Sequence, residues 1–518
     1  MSFGSRVRTA GRLIGALLLV GISGAEAVSQ QQGRGTQRAR PSERRAVPPV
    51  AAAHTPADLA GVVALRSDLG SMLDEGVRSG RWGAMVVSLT RGDTLLSVGA
   101  DELLTPASTM KLFTAALALD RFGPDYHFST DVLRDGPVSP DGVVEGNLIL
   151  RGDGDPGFSN RYLRGPPDAP LDLLARYVSG AGITHVRGDL VADAAGFEDR
   201  RIPEGWLSRY LGYGYAAPVS ALSVNENVVW VGVEPARNGE TAPVFLEPSS
   251  SVMDVRSAVR TTAGRGGRII VRRIGSDGIE ARGWIGTGSP VRRYQLVIQD
   301  PARFTAGAFR DALARHGVAV EGEIRLGSTP TGAERVAGLP SPPLARLVSV
   351  MNRESINHFA ELLYRNAARG PARDAPGSAD RAFDLLDEFM VNKVGAAPGS
   401  IRATDGSGLS TLDRVTPRAL IQLLDYAHDA PWSSVFHASL PVAGESELLR
   451  TRMRATPAQG NLHAKTGTTN RVISLAGYST ARNGEVLAFA FIYNGTDRWN
   501  ARRTIDRMGA TVASFIRE

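Results

Sequence analysis

The chain has 518 residues, no cysteine, 42% apolar residues and a formal charge of +6, enough for two to four domains around a large core. The missing cysteines exclude disulfides, thiolate nucleophiles and thiolate metal ligands. Eight arginines against two glutamates in the first 50 residues carry the whole excess charge. The remaining chain is balanced, and no arginine–aromatic interleaving along it suggests nucleic-acid binding.

In chain order, Arg6, Arg8 and Arg12 precede the apolar run 13–22, and Ala25-Glu26-Ala27 offers a small-x-small cleavage site. Residues 1–27 therefore read as a signal peptide. The run is too short to span a bilayer, and no other stretch approaches about 20 apolar residues. The mature chain is expected to be exported, periplasmic, and either soluble or peripherally attached to the envelope, with no transmembrane segment. Residues 28–56, rich in Arg, Pro and Gln, read as a disordered linker.

Apolar positions recur at helical spacing over 57–78. Residues 84–90 and 94–99 predict two strands joined at Arg91-Gly92-Asp93. Pro106 opens a helix whose face Leu112, Phe113, Ala115, Ala116, Leu119 is apolar enough to be buried. From 131 to 336 short β-like runs (143–150, 189–192, 228–233, 268–273, 293–298) alternate with Gly, Pro and Asp turns, and helical pattern is confined to 302–316. Helices return at 343–364 and 377–394. Residues 461–467, 472–480 and 485–493 predict an antiparallel meander, and a helix over 500–516 closes the chain. The order implies an α/β (α+β) core, 57–130 plus 337–518, built on an antiparallel sheet flanked by helices. A long β-rich insertion, 131–336, interrupts it as one or two extra domains, the inner one about 240–290.

Only three of the 59 basic residues are lysines: Lys111, Lys393 and Lys465. Arginine cannot lose its proton in a protein, whereas lysine can when buried or crowded by cations. Lys111 and Lys465 are thus candidates for proton chemistry, and Lys393 is read as incidental. Ser108 and Lys111 share one face at the start of a buried helix, where a neutral amine could activate the hydroxyl and backbone N–H groups could meet an oxyanion. Ser355 and Asn357 lie two apart in a helical pattern, so a local break must turn both towards one cleft. Lys465-Thr466-Gly467-Thr468 reads as a strand able to hold a carboxylate, its glycine letting a ligand backbone lie along the edge.

Each element alone is weak; the three in this order are the motif set of serine β-lactamases and penicillin-binding proteins. With Pro106–Lys111, Gly152-Asp153-Gly154-Asp155-Pro156, Asp405-Gly406-Ser407-Gly408-Leu409-Ser410, His463–Thr468 and Ser474-Leu475-Ala476-Gly477-Tyr478, the chain resembles the D-alanyl-D-alanine carboxypeptidase/endopeptidase family, the class C low-molecular-mass penicillin-binding proteins. The resemblance runs from about residue 57 to the C-terminus. Ser355 follows Ser108 by 247 residues, too many for a compact β-lactamase but in keeping with a family that inserts domains there. It implies a serine β-lactamase/DD-peptidase-like core, no cofactor or metal, peptidoglycan stem peptides as substrates and β-lactams as covalent inhibitors. It implies Ser108 as nucleophile, Lys111 as base, Ser355 as proton relay and Asn357 as positioner of the substrate amide and of Lys111. Lys465, Thr466 and Thr468 would bind the terminal carboxylate, and the N–H groups of Ser108 and Thr468 would form the oxyanion hole. Ile356 departs from the family's usual Asp or Asn, which implies altered substrate contacts.

Other signals are read down. Gly152–Gly157 matches G-x-G-x-x-G without the helix a dinucleotide site needs, leaving a tight turn or an Asp155 contact to a stem-peptide amine. Glu388 and Asn392 mimic a deacylation motif but fall on the solvated face of an amphipathic helix. Ser407 has no partnered lysine, His358 is assigned to packing, and the eight histidines form no zinc cluster.

Overall fold

A computed structural model describes residues 56–77, 79–369 and 375–517. The signal peptide and linker expected at 1–56 lie outside these residues, apart from Pro56, which begins the first helix.

The last three strands, His463–Thr468, Val472–Thr480 and Val486–Asn494, form the predicted meander, and the hairpin Arg81–Ser88/Thr94–Val98 adds to it. The result is one antiparallel five-stranded sheet made from both ends of the chain. Residues alternate between its faces. In Val486–Asn494, Leu487, Phe489, Phe491 and Tyr493 pack towards the helices Pro56–Gly76 and Arg498–Ala513. Ala488, Ala490 and Ile492 point to the other side, against Met110–Phe122, Leu344–Glu354, Asn357–Arg369, Ala379–Phe389 and Pro417–Asp429. Small alanines on that side let the helix Pro417–Asp429 come close, and the almost wholly apolar helix Met110–Phe122 joins the same core with all ten residues from Met110 to Leu119 buried.

Between these parts lies a second five-stranded sheet, in the order Ile324–Leu326, Leu190–Asp193, Leu148–Gly152, Ser129–Arg134, Glu334–Pro340. Its first two pairings are parallel and its last two antiparallel. The helices Ala169–Gly180 and Pro301–Arg315 contribute to its core. The first of these corrects the sequence reading: Leu171, Leu174, Ala175 and Val178 form a buried helical stripe, masked in the sequence by the loop-like Gly165-Pro166-Pro167 before it. Two three-stranded sheets follow, one of Val228–Val233, Val244–Glu247 and Arg292–Val297, the other of Asp254–Thr262, Gly267–Ile274 and Gly278–Gly286. Asp254–Thr262 and Gly278–Gly286 were not anticipated, because charged residues at their outward positions, Asp254, Arg256 and Arg260 in one and Glu280 and Arg282 in the other, break any apolar run. Among the described residues no helix is long and apolar enough to cross a membrane.

Candidate active site

Pro106 and Ala107 bring the chain to Ser108 through a single turn, Ala107–Thr109, that leads into Met110–Phe122. Ala107 is fully buried with φ +51°, a left-handed conformation costly for a residue with a Cβ. The turn is tied down from outside: Pro106 O accepts from Thr109 Oγ1 at 2.8 Å and from Ser474 Oγ at 2.7 Å.

Lys111 is fully buried. Its Nζ lies 2.6 Å from Asn357 Oδ1, 2.7 Å from Ser407 O and 3.1 Å from Ser108 Oγ. Two of these neighbours are carbonyl oxygens, which only accept; the third is a hydroxyl, which can also donate. A neutral amine has two N–H groups and one lone pair. With both N–H groups spent on the carbonyls, the lone pair is left for the proton of Ser108. Asn357 is held in the required orientation because its Nδ2 donates to Tyr215 O at 2.8 Å.

Burial pushes Lys111 down to about 8, against the opposing charges of Asp405, Glu361 and Asp413. Burial, helped by the charge of Asp405, pushes Glu361 up to about 8. The same two causes push Asp413 well above the carboxylate range. Removal from water outweighs the surrounding carboxylates, so a neutral amine is accessible near neutral pH.

The predicted helix break is present. Leu344–Glu354 ends at Ser355, φ +60°, and a new helix starts at Asn357. Ser355 Oγ accepts from Lys465 Nζ at 2.9 Å, and the same Nζ donates to Thr466 O at 2.9 Å. Lys465 is fully buried and held far below its usual range, first by burial and then by the charge of Lys111. Thr466 is mostly buried and Thr468 is exposed. Ile356, half-buried, packs against the main core.

Gly467 also serves the packing of the site itself. A Cβ there would meet Ser474 Oγ at 2.1 Å, Pro106 O at 2.8 Å and Ser108 N at 3.1 Å. The missing side chain lets the strand touch the nucleophile's own turn, which sets the N–H of Ser108 beside the strand edge. Gly408, φ +80°, is equally constrained: a Cβ would lie 1.8 Å from Ala107 O.

Ser108, Asn357, Tyr210, Tyr215, Leu409, Thr468 and Arg498 help line a groove of about 310 Å³. Tyr210, Tyr215 and Arg498 were missed in the sequence, as were Glu361 and Arg365. For the last two a signal existed: Asn357, Glu361 and Arg365 stand at i, i+4 and i+8 in one helix that also carries the apolar run Phe359, Ala360, Leu362, Leu363, a polar stripe that had to face something. Of the signals read down, Ser407 touches Lys111 through its carbonyl and not its hydroxyl. Glu388 is exposed. His358 is buried, pushed down to about 3 by burial, and its Nε2 lies 3.0 Å from Asn227 Nδ2. Asp155 is buried, accepts from Gly157 N at 2.6 Å in a tight turn, and is pushed up to about 7 by burial. Lys393 pairs with Asp120 on the surface. Among the described residues no three His, Asp or Glu side chains converge as metal ligands.

An antiparallel sheet with helices on both faces and a Ser–Lys pair at the start of its central buried helix is the fold of the serine DD-peptidases. The chain belongs to the D-Ala-D-Ala carboxypeptidase 3 (S13) family, which matches residues 65–514. It is 34% identical to a D-alanyl-D-alanine carboxypeptidase of Actinomadura sp. (strain R39), covering 83% of this chain and 81% of that one. Identity to the D-alanyl-D-alanine carboxypeptidase DacB of Haemophilus influenzae is 25%, covering 83% and 88%. The crystal structure of penicillin binding protein 4 from H. influenzae shares the fold, with a TM-score of 0.72 at 22% identity over 86% of this chain and 98% of that one. A second crystal structure of that protein, complexed with a β-lactam, has a TM-score of 0.66 at 21% identity, with the same coverage.

Proposed function

We propose that Ser108, Lys111, Ser355, Asn357 and the run Lys465, Thr466, Gly467, Thr468 carry the family's D-Ala-D-Ala carboxypeptidase reaction on peptidoglycan stem peptides. The observation that carries this reading is the lysine with two carbonyl acceptors and one hydroxyl around its Nζ. Ser108 Oγ attacks the carbonyl of the penultimate D-Ala as its proton passes to Lys111 Nζ. The negative charge on the carbonyl oxygen is met by the N–H groups of Ser108 and Thr468. The C–N bond then breaks, the leaving amine takes a proton through Ser355, and D-Ala departs. Water hydrolyses the ester on Ser108 and regenerates the hydroxyl. The same acyl-enzyme serves a D-Ala cross-link, so endopeptidase action requires only that the groove admit the second stem peptide. This substrate lies outside the cytoplasm, in keeping with the leader read at 1–27 and a periplasmic location.

A β-lactam is the informative probe, because its leaving amine stays tethered in the acyl-enzyme. Mixing the mature protein with benzylpenicillin is expected to give a long-lived adduct in intact mass that maps to Ser108 and is absent in Ser108→Ala. Rapid loss of penicillin without an adduct would instead make the protein a β-lactamase, and neither outcome would leave a wall-binding protein that has lost catalysis.

Recognition of the substrate's terminal carboxylate extends beyond the strand motif. Lys465 Nζ is fully buried and donates to Ser355 Oγ and Thr466 O, so it meets the groove only at second hand. Arg498 reaches it directly. The guanidinium lines the groove and donates to Thr469 O at 3.1 Å. Arg498→Gln is expected to raise KM for a D-Ala-D-Ala peptide about tenfold with kcat little changed, the loss of one charge-assisted contact in a half-exposed site. A peptide ending in a carboxamide should lose little, and an equal penalty on both peptides would refute the assignment.

A further inference from the structure

The sheet formed by Asp254–Thr262, Gly278–Gly286 and Gly267–Ile274 has one face committed to the fold. Val259, Ala281 and Ile285 are buried there, with Ile269 and Val271 packed beside them. The other face meets solvent. On it, register pairs Trp284 of the central strand with Arg260 on one side and Arg268 on the other. The next rows are Ala258–Arg282–Ile270 and Arg256–Glu280–Arg272. Trp284 is 41% exposed and Ile270 59% exposed.

The charges on this face divide into two sets. Glu280 is paired with Arg272 and Arg282, and Arg256 with Asp254. Arg260 and Arg268 are exposed, and no carboxylate lies within ion-pair reach of either among the described residues. Residues 254–297 hold nine arginines against three acids, whereas the chain outside this stretch and the first 50 residues carries six more acids than bases. The row is invisible in the linear sequence, because strand pairing assembles it. Solubility needs no tryptophan in the middle of such a face, and the buried side of the sheet already supplies its core.

We propose that this face docks the polymer on which the active site works, with a sugar ring stacked on Trp284 and stem-peptide carboxylates paired with Arg260 and Arg268. Direct cross-strand neighbours stand about 5 Å apart, so the indole presents a flat apolar surface with a cation on either side. That pattern complements a glycan bearing anionic peptides. A bilayer would call for apolar side chains standing beyond the charges, and here the indole lies in one row with its two arginines. The proposal rests on the peptidoglycan reading of the active site and extends it to a second, non-catalytic contact.

The test is co-sedimentation of the full mature chain with purified insoluble sacculi, after acylation by benzylpenicillin so that the active site cannot contribute. The acylated protein is expected to pellet with the sacculi, less so at high salt. Trp284→Ala and the double variant Arg260→Ser/Arg268→Ser should each weaken binding about fivefold or more, as partly exposed cation and aromatic contacts allow. Both variants should acylate at the wild-type rate, which also reports that they are folded. Unchanged pelleting of both variants would overturn the proposal. So would weakening by the arginine pair alone, which is nonspecific charge attraction. Binding to vesicles of phosphatidylglycerol and phosphatidylcholine, lost in the variants while sacculus binding stays intact, would overturn it in favour of a membrane contact. Failure of wild type to acylate at all would instead refute the active-site reading, and the two failures are read from separate measurements.

Discussion

Lys111→Arg is expected to slow benzylpenicillin acylation of Ser108 about 1,000-fold, the middle of the range for losing a general base, although it keeps the positive charge and the hydrogen-bond donors. The chain uses arginine at nearly every other basic position, so this substitution puts in its most abundant cation and takes away only the ability to lose a proton. A guanidinium would donate to Asn357 Oδ1 and Ser407 O and still offer no lone pair to Ser108. Because the site is fully enclosed, Lys111→Met, uncharged and of similar length, separates crowding from chemistry. It leaves two buried carbonyls without a donor, a cost of about 1–3 kcal/mol each, but removes a buried charge at the same time. Both variants should stay folded, and both should fail to acylate. Retention of a tenth of the wild-type rate by either would assign the base to another group.

The wild-type pH profile follows from the same geometry. The reactive form is neutral Lys111, and burial sets its midpoint at about 8. Well below that pH the acylation rate should rise about tenfold per pH unit, and it should level off above it. A limb that instead falls as pH rises through 8 would mean that the protonated lysine is the working form.

The parts of the site legible in the sequence are those fixed by local spacing. Ser108 and Lys111 meet because residues three apart share a helix face. Ser355 and Asn357 could face one cleft only if the helix broke between them, and it does at Ser355. The C-terminal meander was legible through strand length and apolar content, although both its faces are covered. What stayed hidden depends on pairings between distant segments. Asn357 is oriented by Tyr215 O, 142 residues away, and Asp405 is anchored by Trp206, 199 residues away. Periodicity reports that a position is buried and says nothing about its partner. Gly467 shows the same limit: a small residue on a strand edge predicts a close approach, and only the fold reveals that the nucleophile's turn is a group that comes that near.

Asp405→Asn should lower kcat/KM about 100-fold and reduce Tm, though residue 405 touches no substrate. Both carboxylate oxygens are fully used: Oδ1 accepts from Ser407 N at 2.9 Å and Gly408 N at 2.6 Å, and Oδ2 from Ser410 N at 2.7 Å and Trp206 Nε1 at 2.7 Å. An amide supplies one acceptor oxygen. Whichever way it is turned, two of the four donors then face an NH2 group, each at a cost of about 1–3 kcal/mol. The loop these bonds hold carries Ser407 O, one of the two carbonyls that aim the Lys111 lone pair, and it presses Gly408 against Ala107 O beneath the nucleophile. A displacement of about 1 Å there is enough for a loss of that size. A merely destabilised protein would recover its activity at low temperature, whereas misaimed Lys111 would not. The pH profile gives a second, independent sign. The charge of Asp405 raises the pKa of Lys111, so neutralising it should move the acylation limb to lower pH. Glu361, which that charge helps keep protonated, limits the shift when it ionises in turn. Wild-type kcat/KM at low temperature with an unmoved limb would reduce Asp405 to a structural brace.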